Sequence, residues 1–319
     1  MKNMIVWAVI LGVVGYGGSK LLLHHKVGQG VDQAIMAVSP FVNIEYDGVS
    51  STMSGELTID GIQAQVTGFN ESIFIERLGI DTPSYFSLLK LADISENVQS
   101  PDEVIPEYFG FLVEGVRMRV NADYFKEVYS ASVNDISADA LQDDAARCTG
   151  KYGFSPDTLT NFGFTDQVVS VAAHFRRGEG NYVVEMTSDV EDMWSLDASL
   201  TLAGDMVSEF SKGPRYRPLM KNMRVVFEDD SLNSRVEQYC GRLGMSAEEI
   251  RAAQLEKLRY MGEVYGIEFD EYVIEPYVEF LAGKSTLVVT AKPTEPVSLS
   301  QITLYKPSDV PALLDLSAE

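Results

Sequence analysis

An apolar run from Met4 to Leu23 (MIVWAVILGVVGYGGSKLLL) stands at the start of the chain, interrupted by one charge, Lys20. About twenty helical residues rise about 30 Å, the thickness of a bilayer's hydrocarbon core. The run therefore predicts a transmembrane helix, with Ile5, Trp7, Leu11 and Leu23 among its anchoring residues. Lys20 lies near the far end, where its long stem can carry the ammonium to the interface. Two readings compete, an uncleaved signal anchor and a cleaved signal peptide with Lys2 as its basic region. The lack of an A-x-A site after the run favours the anchor, assigned to residues 1–26. Lys2 on one side and Lys20, Lys26, His24 and His25 on the other nearly balance the positive-inside count. A short N-terminal tail before a long acidic domain is the layout of an exported protein. It predicts a single-pass membrane protein with its large domain on the extracytoplasmic side, which is the periplasm, above the inner membrane, if the source is Gram-negative.

After the anchor the hydrophobic period falls to two. Phe41 to Tyr46, Glu56 to Ile59 and Ser72 to Glu76 alternate, and Asp47-Gly48 and Asp60-Gly61 follow the first two as expected hairpin turns. Further strands are expected at 111–120, 168–175, 181–187, 195–202, 223–227, 285–291 and 298–305. Gly178-Glu-Gly180 reads as a hairpin loop, since the third Gly and following helix of a dinucleotide fingerprint are missing. Polar residues at alternate positions argue for antiparallel sheet with one solvated face. Ser246-Ala-Glu-Glu249 is a capping box. The helix it starts would place Ile250, Leu258, Met261 and Tyr265 on one stripe and close at Gly266. Shorter helical pieces are expected at 87–91 and 123–129. The fold class is α+β and β-rich, with helices packed on the sheet.

Self-comparison shows a repeat. Val116 to Phe125 aligns without gaps on Met223 to Leu232, placing Asp123 opposite Asp230. Cys148 to Pro156 matches Cys240 to Ala247 with one residue skipped, and each match ends in a Ser at a helix N-cap, Ser155 and Ser246. The same order occurring twice predicts two related β-rich modules, 27–165 and 166–319. The linker between strand and Cys is longer in the first copy, and its acidic stretch (Asp139, Asp143 and Asp144) reads as a solvated excursion. Cys148 and Cys240 are the only cysteines and occupy equivalent repeat positions. In an oxidising compartment they would bridge the modules, the alternative being two buried free thiols.

Composition narrows the chemistry. The chain has 319 residues, 45% hydrophobic, enough for a real core, with 47 acidic residues against 25 basic and a formal charge of −22. That charge opposes sequence-independent nucleic-acid binding, which depends on Lys and Arg releasing counterions. Three histidines, no HxxxH or CxxC, no GxSxG and no phosphate-binding loop offer no catalytic, metal or cofactor constellation. Adjacent carboxylates such as Asp229 and Asp230 are expected by chance among so many acids. The function expected from these residues is non-enzymatic.

The runs Val42-Asn-Ile-Glu-Tyr-Asp-Gly48, Ser54-Gly-Glu-Leu-Thr-Ile-Asp-Gly-Ile62 and Ile75-Glu-Arg-Leu-Gly-Ile-Asp81, following an N-terminal anchor, resemble AsmA-like and YdgA-type membrane-anchored envelope proteins of Gram-negative bacteria. Met223 to Arg235, Phe280 to Leu287 and Pro293 to Val297 carry the same likeness. The resemblance implies a curved antiparallel sheet with a groove, linked in the larger members to lipid movement, and it brings no catalytic residues. The expected role is a membrane-anchored periplasmic domain that scaffolds or assists assembly of an envelope complex, through a protein partner or self-association. The alternative is a lipid-binding or lipid-transfer module with an apolar groove.

Overall fold

A computed structural model of the chain describes residues 2–90, 106–204 and 219–319, without the side chains of residues 2–19, 299, 301 and 303. It is a mixed α+β fold with antiparallel sheet and divides into two compact units, Met1–Glu114 and Gly115–Glu319. The predicted module boundary near residue 165 falls inside the second unit, at the entry to its sheet.

The first unit starts with α1 (Lys2–Val38). The anchoring side chains of Ile5, Trp7 and Leu11 lie outside the described residues. Among the described residues no helix is long and apolar enough to cross a membrane. Leu23, the last residue of the apolar run, is 2% exposed and packs with Tyr85 and Leu88. One residue on, His24 Nε2 lies 2.8 Å from Ser51 Oγ, so this part of α1 rests on protein.

Strands β1 (Val42–Glu45), β2 (Gly48–Ser51), β3 (Glu56–Val66) and β4 (Ser72–Asp81) follow. Both β1 and β2 pair antiparallel with β3, in one continuous register, and β3 pairs with β4. The two Asp-Gly pairs therefore do not reverse the chain, contrary to expectation. Asp47 donates its backbone N–H to Asp60 O at 3.0 Å, and Gly61 takes φ +64° within β3. Alternating residues on both sides of each pair keep the ladder going, so the left-handed glycine is absorbed as a local kink. Reversal falls instead near Gly55 (φ +103°) and Gly68 (φ +96°). Residues 85–90 are helical, and β5 (Tyr108–Arg119) leads into the second unit.

The second unit is built on β6 (Asp166–Gly178), β7 (Asn181–Val190), β8 (Trp194–Ala203), β9 (Leu219–Asp229) and β10 (Thr286–Ala291), antiparallel neighbours in that order. The Gly178–Asn181 closure makes the predicted β6–β7 hairpin, with Gly180 at φ +64°. Along β8 the faces separate by the period of two: Leu196, Leu200 and Leu202 lie on the packed side, and Asp197, Ser199 and Thr201 on the other. One end of the packed face is covered by a core containing Val190, Met193, Val236, Tyr239 and Ile250. The other end is covered by Tyr182, Leu202, Met220 and Leu314.

The expected strand 298–305 does not form. Only β11 (Val297–Ser298) pairs, with Met220 and Leu219 of β9, and a 3₁₀ helix spans Leu299–Leu304. From Met223 onward β9 is already paired with β10 on that side, which leaves no ladder for a longer strand. The chain instead turns Ile302 into the core and ends in β12 (Leu316–Ala318) on β10.

Six helices precede or follow the central strands. They are α2 (Asp123–Ser132), α3 (Ala138–Gln142), α4 (Asp144–Thr149), α5 (Pro156–Asn161), α6 (Leu232–Arg242) and α7 (Ala247–Tyr265). After them come α8 (Glu271–Leu281) and α9 (Val310–Leu314). The acidic excursion is structured: Asp143 accepts hydrogen bonds from Ala145 N (2.8 Å) and Ala146 N (3.4 Å) and starts α4. Cys148 in α4 and Cys240 in α6 form a disulfide with Cα atoms 5.5 Å apart, both fully buried. The bridge therefore lies within the second unit, at the centre of its larger core.

Candidate ligand cavity

The capping box is present: Ser246 Oγ accepts from Glu249 N, and Glu249 Oε2 accepts from Ser246 N at 2.7 Å. It fixes the start of α7, and with it the face this helix turns to the sheet. That face keeps Ile250 of the predicted stripe but not Met261 or Tyr265. Met261 is 37% exposed and Tyr265 63%, whereas Ile250, Gln254 and Gly262 are buried. Gly262 lets the following loop close on the helix, because a Cβ there would stand 2.5 Å from Ile267 O.

Gln254 and Lys257, three residues apart, share one side of α7. They line an apolar cavity of about 290 Å³ floored by the sheet residues Leu196, Val225, Phe227 and Val289. Helix α8 closes another side with Tyr277, Phe280 and Leu281, and α6 contributes Val236. Phe280 sits edge-on to Phe227, centroids 5.6 Å apart, and stacks against Tyr277 at 6.5 Å. The disulfide positions two walls, since Thr149 follows Cys148 in α4 and Val236 precedes Cys240 in α6.

Thr149 and Asn233 also line it, and three further polar groups meet the apolar walls. Lys257 Nζ donates to Thr149 O at 3.0 Å, which caps the C-terminus of α4, and lies 5.1 Å from the centre of the Phe154 ring. Burial pushes its pKa down from the usual lysine value. It has no ion pair among the described residues, and the adjacent Glu256 carboxylate is taken by Lys151 at 2.5 Å. Gln254 is 8% exposed, and its side chain makes no hydrogen bond among the described residues. The Tyr277 hydroxyl is likewise without a hydrogen bond among the described residues, and burial pushes its pKa up to about 12.

A raised phenol pKa means that the fold favours the neutral form. Its contribution to stability is fully present below pH 10, the ordinary tyrosine value, and is lost as pH rises through about 12. Denaturant midpoints taken below pH 10 and near pH 12 should therefore diverge less in Tyr277→Phe than in the native chain. Equal alkaline losses in the two would refute the burial of this phenol.

Other hollows are less suited to orienting a ligand. A larger one, about 600 Å³, lies on the outer side of α7 along Leu258, Ile267 and Phe269, but its charges (Arg259, Glu263, Glu268) are exposed and solvated. A polar one of about 490 Å³ in the first unit contains Arg77, already paired with Asp60 (3.3 Å) and Glu114 (3.0 Å). Among the described residues no group of three or more His, Cys, Asp or Glu could hold a metal ion.

The residues singled out by sequence are scattered. Asp123 is the first residue of α2 and pairs with Lys126 at 3.0 Å. Ser155 caps α5 by accepting from Thr158 N at 3.1 Å, while Ser246 caps α7. Asp230 lies in the bend before α6, its N–H donating to Met193 O. The neighbouring Asp229 accepts from Asn233 N at 3.0 Å as a helix cap, and burial raises its pKa. Only the two cysteines are brought together. Gln254, Lys257 and Tyr277 escape a sequence reading, and their one signal is the i, i+3 spacing of two polar residues in a helix whose inward face they join. Comparison with curated proteins returns no match. Residues 187–319, which include Gln254, Lys257, Tyr277 and Cys240, match a family described only as "Uncharacterized protein".

Proposed function

We propose that the chain is a non-enzymatic, membrane-anchored envelope protein whose second unit binds an apolar small molecule or lipid-derived ligand. The apolar run ahead of Leu23 anchors it in the inner membrane as a single pass, and the acidic domain stands in the periplasm. The observation that carries the binding role is the cavity under α7 and α8, apolar in its walls with a few convergent polar groups, as ligand sites are. Its polar groups are two amides, a hydroxyl, an ammonium and a phenol, which suit holding better than acid–base chemistry. The disulfide supports an oxidising compartment. The cavity favours this reading over a purely scaffolding role in an envelope complex.

The full-length chain, reconstituted in lipid nanodiscs and extracted with organic solvent, should release a small molecule that a cavity-filled variant, Val289→Phe or Val236→Phe, does not. Each variant is first checked for native melting. Identical extracts from the native chain and a folded variant would overturn the binding role.

A further inference from the structure

We infer that the cavity takes an amphiphile with a single carboxylate, bound by the Lys257 ammonium and the Gln254 amide, its hydrocarbon body lying against Phe227, Phe280 and Val289. The inference rests on the binding role proposed above and names its ligand class.

Charge comes first. An ammonium offers three donors, and Lys257 uses one on Thr149 O. Its capping of α4 therefore leaves two donors, directed from a partly buried head beside an apolar cavity. A cation in such surroundings is costly unless an anion joins it. In a chain with 47 acidic residues none of the described carboxylates does so, although Glu256 is the next residue along α7. The position is open to an anion from outside.

Gln254 points the same way independently. The residue is 8% exposed and lines the cavity, and its side-chain amide is not engaged by another described residue, so its donors are free to meet a ligand there. Its NH₂ group can donate to the second oxygen of a carboxylate whose first oxygen meets Lys257. The i, i+3 spacing puts the two donors on one side of α7. The neutral Tyr277 hydroxyl supplies a further donor. One cation matches one negative charge. A phosphate monoester would bring a second charge with no partner, an amine would meet Lys257 as a like charge, and an alcohol would leave the ammonium unpaired. The walls are hydrocarbon and aromatic, and the volume, about 290 Å³, suits a short apolar body.

The test uses the full-length chain in phosphatidylcholine nanodiscs and a diazirine-bearing dodecanoic acid, with the matching diazirine alcohol, labelled sites being mapped by peptide mass spectrometry. A charge-assisted hydrogen bond contributes about 1.5–3 kcal/mol, so the acid should label cavity peptides about ten- to a hundredfold better than the alcohol. In Lys257→Met the preference for the acid over the alcohol should vanish, and Gln254→Leu should lower the preference in part. Equal labelling by acid and alcohol in the native chain overturns the carboxylate assignment and leaves the apolar cavity standing. That native-chain comparison decides the matter even where a variant fails to fold. Dodecyl phosphate competing better than dodecanoate overturns the single-charge assignment. Failure of both probes to label the cavity overturns the binding role itself.

Discussion

The double substitution Cys148→Ala/Cys240→Ala should lower the stability of the second unit by about 4–5 kcal/mol. The bridge joins residues 92 apart, and closing a loop of that length in the unfolded chain has an entropy equivalent of that size. In a unit of this size each kcal/mol moves the melting temperature by about 2–4 °C, so a fall of about 10–20 °C is expected by calorimetry. Reduction of the native chain should give the same shift, because both treatments release the same constraint. The folded structure should change little, since both positions are fully buried among apolar neighbours that accept alanine. A fall of only a degree or two would mean that the unfolded chain already keeps helices α4 and α6 together. The loss also reaches the cavity, because those helices supply Thr149 and Val236. Labelling by the carboxylate probe should decline in the double variant at temperatures where the unit is still folded.

The bridge was open to sequence reading because two cysteines permit only one intramolecular pair and an exported domain favours its formation. Local grammar was equally legible. The Gly178–Asn181 hairpin and the Ser246–Glu249 capping box depend on residues a few positions apart, and both occur as read. Long-range competition was not legible. Asp60-Gly61 has the chemistry of a turn, but β1, β2 and β4 all pair with β3 and carry it straight through. Residues 299–304 alternate like a strand, yet β10 already occupies the β9 edge they would need. Asp143 looked like one more solvated acid until the amides of α4 were there for it to cap.

The cavity was hidden for a related reason. Hydrophobic periodicity assigns Lys and Gln to the outside of a helix, whereas α7 turns Gln254 and Lys257 inward and leaves Tyr265 exposed. A segment that breaks the pattern in this way marks a place where packing alone does not explain the residues, as happens at functional sites.

Phe280→Ala should cost about 3–5 kcal/mol in the absence of ligand, the range for losing a buried phenylalanine together with the cavity it leaves. Phe280 is 4% exposed, and its ring touches both Phe227 and Tyr277, so its removal strips two aromatic contacts and joins a new void to the existing one. The urea midpoint should fall with the slope unchanged, and Phe280→Leu should fall by less. The ligand gives the substitution its diagnostic value. Anything that binds the folded unit alone raises its stability with concentration, and an enlarged apolar cavity should accept a longer hydrocarbon body. Longer-chain carboxylates should therefore restore the midpoint of Phe280→Ala more than that of the native chain, while short ones restore both alike. If no carboxylate of any length restores the variant, the void opens away from Lys257, and Phe280 is a core residue with no part in holding ligand. If restoration occurs with alcohols as readily as with carboxylates, the apolar wall acts without the ammonium. The dependence on chain length reports the wall, and the dependence on charge reports Lys257, so one series of melts separates the two halves of the site.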